Sequence, residues 1–98
     1  RLFAVIESRK GGDADSSYTA KLLAGGAPKI GKKLGEEATE VTIAALSEGP
    51  DAVARESADL LYHLLVMWSA MGLTPEDVYA ELAKREGTSG IDEKNSRT

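Results

Sequence analysis

The chain has 98 residues, a formal net charge of −4 and no cysteine. This length suits one compact domain with a small core, and the lack of cysteine excludes disulfides and thiolate metal sites and fits a reducing cytoplasm. The negative charge argues against a general nucleic-acid binder. No apolar run approaches the roughly 20 residues that span a bilayer. We therefore expect a cytoplasmic protein that binds neither nucleic acid nor a membrane.

Helix signals follow one another through the first half of the chain. Residues 2–7 are a short apolar element or the end of a helix, and the glycine-rich stretch 11–15 interrupts the pattern. Ser16 or Ser17 can cap a short helix that ends at the Gly25-Gly26 pair. Pro28 then fits the first turn of a long helix that reaches about residue 47.

The second half predicts two further helices. Gly49-Pro50 ends the long helix, and Asp51 is a plausible cap for the next one, which reaches about residue 71. Thr74-Pro75, followed by two acids, is a strong start for a last helix that runs to about residue 85. No segment reads as a strand. We therefore predict an all-α fold, a small bundle of about four to five helices at residues 1–86, followed by a flexible tail at 87–98.

The two central helices carry most of the apolar residues. The first has an apolar stripe at helical spacing, which consists of Ile30, Leu34, Val41 and Ala45. Glu37 belongs to the same face of this helix. The second is apolar nearly all round from 58 to 71, with Asp59 and His63 as its main polar interruptions. One short chain can hardly cover such a helix, so we expect a homodimer that completes the core.

Acidic residues form two helical clusters without a basic residue inside them: Glu36, Glu37 and Glu40, then Glu56 and Asp59. At a spacing of three or four residues such carboxylates lie on one side of a helix and repel one another. In apolar surroundings they need a raised pKa, a basic partner or a metal. If the two helices pack antiparallel, the clusters converge, and oxygen ligands favour Mg²⁺ or Mn²⁺ over zinc. Solvated surface charge is the alternative. We favour it for Glu36 alone and the metal site for the other four.

These motifs resemble a known family. EExxE at 36–40 followed by ExxD at 56–59 is similar to the all-α nucleotide pyrophosphohydrolase superfamily, which includes MazG-like proteins. The segments at 17–19 (SYT), 33–37 (KLGEE) and 59–66 (DLLYHLLV), with the ending at 82–85, resemble the phosphoribosyl-ATP pyrophosphohydrolases of histidine biosynthesis over nearly the whole chain.

The resemblance implies Mg²⁺-dependent hydrolysis of phosphoribosyl-ATP to phosphoribosyl-AMP and pyrophosphate, the second step of L-histidine biosynthesis. It implies four metal ligands, namely Glu37, Glu40, Glu56 and Asp59. Mn²⁺ is a possible substitute for Mg²⁺. Glu36 would be a further ligand or a base that orients water, so Glu36 and Glu37 are the catalytic candidates. We expect a metal-activated water to attack between the α- and β-phosphates, without a covalent nucleophile.

Hydroxyl and cationic side chains supply the substrate-binding candidates: Arg9, Ser17, Tyr18, Thr19, Lys33, Arg85 and Lys94. Simpler roles compete with this one. Ser17 fits a helix cap, Tyr18 a dimer contact, and Lys33 an ion pair with Glu36. Lys94 belongs to a tail that can close over an anionic substrate, although disorder is the default there. His63 is a partner of Asp59 or, as we favour, a satisfied core residue.

Two other functions compete with the leading prediction. The first is a MazG-like house-cleaning hydrolase that acts on free nucleoside triphosphates, which the acidic motifs alone do not distinguish. The second is a non-enzymatic helical dimerisation module whose acids bind only structural cations.

Overall fold

The computed structural model describes residues 1–86, which form four α-helices and no strand. Helix α1 spans Leu2–Ser8, α2 Tyr18–Ser47, α3 Pro50–Ala70 and α4 Pro75–Lys84. The all-α prediction is therefore confirmed for this part of the chain. None of these four helices is long and apolar enough to cross a membrane. The predicted tail at 87–98, with Lys94, lies outside the described residues.

Helix α2 begins at a predicted cap and bends at a predicted glycine. The Ser17 hydroxyl accepts a hydrogen bond of 3.1 Å from the backbone N–H of Ala20. Gly26 has φ 74° and ψ −174°, a backbone conformation that is essentially restricted to glycine. The predicted pair of helices therefore appears as two helical segments of α2 that meet in a kink at Gly26, just before Pro28.

The starts of α3 and α4 test two predicted caps. Pro50 is the first residue of α3 and Gly49 occupies the cap position, so the prediction of Asp51 as the cap was wrong. Proline favours the first helical position because its missing N–H would have no partner there, and this places Asp51 in the first turn. Thr74 caps α4 as predicted: its hydroxyl accepts from the Asp77 N–H at 3.3 Å, and the Asp77 carboxylate accepts from the Thr74 N–H at 2.9 Å.

Helices α2 and α3 form an antiparallel hairpin because only two residues connect them, and α1 packs on α3. Five buried side chains make the core: Ile6, Leu22, Ile30, Leu65 and Val66. The inner stripe of α2 ends at Ala44, which is buried, whereas the predicted Ala45 is exposed. With 3.6 residues per turn, the position three after Val41 rather than four returns to the inner face.

A polar contact fastens α1 to the far end of α3. The hydroxyl of Ser69, which is buried, donates a short hydrogen bond to Glu7 Oε2. Lys10 Nζ lies 2.8 Å from the same carboxylate oxygen. These two contacts lower the pKa of the Glu7 carboxyl, with Lys10 as the larger cause.

Candidate active site

Three carboxylates converge across the α2–α3 hairpin. Glu37 on α2 and Glu56 and Asp59 on α3 each offer one oxygen, and these oxygens all lie within 4.8 Å of one another. Glu56 and Asp59 are one turn apart on α3, which places them on the same side of the helix. The structure therefore brings together three of the four predicted metal ligands, as the antiparallel packing of the helices required.

The burial of these acids differs from one to the next. Glu37 and Glu56 are half-buried and Asp59 is exposed in the single chain, whereas we expect a second copy to help cover the helix that carries Asp59. The reason is that α1 and α2 cover only part of α3, and Leu61 on the same helix is 53% exposed. The case for a cation at this place therefore depends on the proximity of the charges rather than on deep burial.

The crowding of these acids affects Glu56. Partial burial raises the pKa of its carboxyl above the ordinary value, and the neighbouring charges of Asp59, Glu40 and Glu37 raise that pKa further. Both causes penalise the negative charge on Glu56. A cation or a proton at this position would relieve the penalty.

The two remaining acids of the first cluster are exposed. Glu40 contributes its charge to the surroundings of Glu56 without being one of the three converging carboxylates. Glu36 lies 3.6 Å from Lys33, measured from Oε1 to Nζ, which is the ion pair that we weighed against a phosphate-binding role for Lys33. Their functional roles remain predictions.

The first turn of α2 lies against the turn of α3 that follows Asp59. The Tyr18 hydroxyl is 3.0 Å from His63 Nε2, and the hydroxyls of Thr19 and Tyr62 share a short hydrogen bond. The rings of Tyr18 and Tyr62 stack with centroids 6.4 Å apart. Sequence reasoning missed Tyr62, although its position three residues after Asp59 places it on the same face of α3.

His63 is a satisfied core residue, as we favoured. Its side chain is buried, 5% exposed, and its Nδ1 lies 2.8 Å from the backbone carbonyl oxygen of Asp59. The contact between these two residues is therefore made through the main chain of Asp59 and not through its carboxylate.

Tyr18 connects this polar group to the acids. Burial is the largest cause that raises the pKa of the Tyr18 hydroxyl, and the charges of Glu37 and Glu36 act in the same direction, whereas Lys33 opposes them. Tyr18 is therefore protonated at neutral pH. The charges of these three side chains therefore act on the Tyr18 hydroxyl.

Comparison with known proteins decides the family. The family model described as phosphoribosyl-ATP pyrophosphohydrolase matches residues 1–86. The chain belongs to the phosphoribosyl-ATP pyrophosphohydrolase family. This confirms the resemblance seen in the acidic motifs and their surroundings.

Individual members of the family match over most of their length. The phosphoribosyl-ATP pyrophosphatase of Paramagnetospirillum magneticum is 64% identical over 98% of this chain and 88% of its own. The protein of that name from Rhodospirillum rubrum is 60% identical over 98% of this chain and 82% of its own. The one from Parvibaculum lavamentivorans is 61% identical over 99% of this chain and 89% of its own.

Three other substrate-binding candidates of this phosphoribosyl-ATP pyrophosphohydrolase family member lie at helix ends. Ser17 caps α2 and Arg9 is the C-cap residue of α1. Arg85 follows α4, where its guanidinium is 3.9 Å from Glu81 Oε1. Arg9 and Arg85 thus belong to the ends of α1 and α4 and not to the hairpin that carries the carboxylates. Their roles in substrate binding remain predictions.

Proposed function

We propose that this chain hydrolyses phosphoribosyl-ATP to phosphoribosyl-AMP and pyrophosphate in histidine biosynthesis, and that it uses Mg²⁺ to do so. Membership of the family makes the chain an enzyme of this class. The observation that carries the metal-dependent proposal is the convergence of three carboxylate oxygens within 4.8 Å.

The donor set fits a hard divalent cation. All three groups are carboxylates, and Mg²⁺ prefers oxygen ligands. The oxygens of Glu37, Glu56 and Asp59, which lie within 4.8 Å of one another, would hold such an ion. We propose Glu40 as a fourth ligand and Mn²⁺ as a substitute ion.

The remaining side chains supply proton transfer and substrate contacts. When bound, Mg²⁺ screens the phosphate charges and acidifies water. Glu36 or Glu37 accepts the proton that water loses as its oxygen bonds to the α- or the β-phosphorus, and the bond from that phosphorus to the oxygen that bridges the two breaks to give phosphoribosyl-AMP and pyrophosphate. Lys33 and Thr19 bind substrate oxygens beside these acids. Tyr18 contacts the substrate from the same surface. Ser17, Arg9, Arg85 and Lys94 complete the proposed set.

An assay of pyrophosphate release tests this proposal. Wild-type protein with Mg²⁺ is offered phosphoribosyl-ATP and, separately, dATP, dCTP and dUTP. We expect turnover of phosphoribosyl-ATP to exceed that of the free nucleotides. Equal or faster release from the free nucleotides would support the MazG-like function instead. Absence of release from all four substrates would support the non-enzymatic dimerisation module.

We also propose that the protein is a homodimer. Large apolar side chains on the two central helices and at the C-cap of α3 are exposed in the single chain: Leu46 is 82% exposed, and Ile43, Leu61 and Met71 are also exposed. Exposed apolar surface of this kind favours a second copy that covers it. Light scattering should therefore give twice the mass of the chain. A mass equal to one chain at micromolar concentration would refute the dimer.

A further inference from the structure

The contact between Tyr18 and His63 determines where two protons lie. His63 Nδ1 is 2.8 Å from the carbonyl oxygen of Asp59, which can only accept a hydrogen bond, so Nδ1 carries the ring proton. When the ring carries this single proton, Nε2 is an acceptor. The Tyr18 hydroxyl, 3.0 Å away, must be the donor of that hydrogen bond.

This arrangement restricts what Tyr18 can offer to a ligand. A phenol has a single proton, and here it is directed to His63, so only the oxygen lone pairs of Tyr18 remain available. Tyr18 is 49% exposed, which leaves room for a ligand on its outer side. The hydroxyl can therefore accept a hydrogen bond from a substrate group but cannot donate one to a phosphate oxygen.

The neighbouring side chains keep the tyrosine in this orientation. The Tyr62 ring stacks on Tyr18 with an interplanar angle of 21°, and the Tyr62 hydroxyl holds Thr19, the next residue of α2. The His63 ring meets the Tyr18 ring edge-on at 5.9 Å. The first turn of α2 is thus fastened to the α3 turn that follows the Asp59 carboxylate.

We propose that His63 is a positioning residue that fixes the Tyr18 hydroxyl as a hydrogen-bond acceptor for a ribose hydroxyl of the substrate. Ribose hydroxyls are the most numerous neutral O–H donors of phosphoribosyl-ATP, which carries two ribose units. The inference rests on the proposed function, since it assigns a role within the same site. His63 itself does not touch the substrate.

Two substitutions at His63 separate the two sides of the ring. His63→Gln places an amide oxygen near the position of Nε2 and so retains an acceptor for Tyr18. His63→Asn retains a donor for the Asp59 carbonyl but cannot reach Tyr18. Steady-state pyrophosphate release from phosphoribosyl-ATP is measured for both variants, alone and combined with Tyr18→Phe. Tyr79→Phe, at an exposed tyrosine on α4, is the matched control.

We expect His63→Asn to lower kcat/KM about tenfold, the factor that loss of one hydrogen bond typically causes. His63→Gln should recover most of this loss, and His63→Asn should have little further effect in the Tyr18→Phe background. Inhibition by pyrophosphate and the affinity for Mn²⁺, measured by titration calorimetry, should stay unchanged in Tyr18→Phe, because Tyr18 contacts neither. Tyr79→Phe should behave as wild type.

Three results would overturn the inference. The first is full additivity of His63→Asn and Tyr18→Phe, which would indicate that His63 acts only through stability. The second is equal activity of the Asn and Gln variants. The third, which does not depend on the folding of any His63 variant, is weaker inhibition by pyrophosphate in Tyr18→Phe. Failure of the proposed function would instead appear as a wild type that releases no pyrophosphate.

Discussion

The kink at Gly26 allows a sharp comparison of two glycines on the same helix. Gly26 has φ 74° and ψ −174°, and a Cβ added there would meet only Pro28 Cδ at 3.8 Å. The cost of Gly26→Ala is therefore conformational and not a steric clash with neighbours. Gly35 on the same helix has ordinary helical geometry, and a Cβ added there has nothing within 4 Å. It provides the matched control.

The magnitudes follow from these two environments. A residue other than glycine in the conformation of Gly26 costs about 1–3 kcal/mol of folding free energy. Gly35→Ala should stabilise the protein by about 0.4–1 kcal/mol, because alanine loses less backbone freedom on helix formation. We therefore expect the free energies of unfolding of the two variants to differ by about 1.4–4 kcal/mol.

Urea unfolding, followed by far-ultraviolet circular dichroism and by Trp68 fluorescence, measures this difference. Gly26→Ala should also lower kcat/KM for pyrophosphate release, because straightening the kink displaces the first turn of α2, which carries Tyr18 and Thr19. A Gly26→Ala variant as stable as Gly35→Ala would refute the reasoning, since it would show that the chain does not require the kinked backbone at this position.

Three further predictions concern the acidic residues. Glu37→Gln and Asp59→Asn should stay folded but lose pyrophosphate release. Both variants should also lose the stabilisation by Mg²⁺, which is about 2.7 kcal/mol for a protein that binds the ion at 100 times its Kd. Glu81→Gln on α4 is the control. Because the folded-state pKa of Glu56 is raised, the stability that it contributes to metal-free protein is fully present below the unfolded-state pKa and is lost as pH rises through the folded-state pKa. Urea midpoints across pH in chelator should show this loss in wild type and not in Glu56→Gln. The pKa of Glu7 is lowered, so its contribution is present above the unfolded-state pKa and is lost as pH falls through the folded-state pKa, a loss that Glu7→Gln should remove.

Specific results would contradict each of these expectations. Full activity of Glu37→Gln, or Mg²⁺ stabilisation that survives in both variants of the first prediction, would remove the carboxylates from the metal site. A Glu56→Gln variant with the same pH dependence as wild type would show that the crowding of acids around Glu56 does not affect stability. The same result for Glu7→Gln at acid pH would mean that the contact with Ser69 and Lys10 is not formed in solution.

Much of the secondary structure could be predicted because its signals are local. Ser17, Gly26 and Thr74 act on backbone groups within three residues of themselves, so their effect does not depend on the remainder of the fold. The faces on which Glu37, Glu56 and Asp59 lie could also be predicted, because they depend only on both segments being helical. The wrong cap at Asp51 arose from two local signals in competition, and the preference of Pro50 for the first helical position prevailed.

The sequence by itself determined the helices, the kink and the two acidic faces, because each depends on residues a few positions apart. Only the tertiary structure decided that Asp59 is exposed, that Glu40 lies outside the converging triad, and that His63 holds Tyr18. The Tyr18–His63 pair is separated by 45 positions in the chain. Such a contact depends on how two helices pack against each other, and helical periodicity within either segment does not specify that packing.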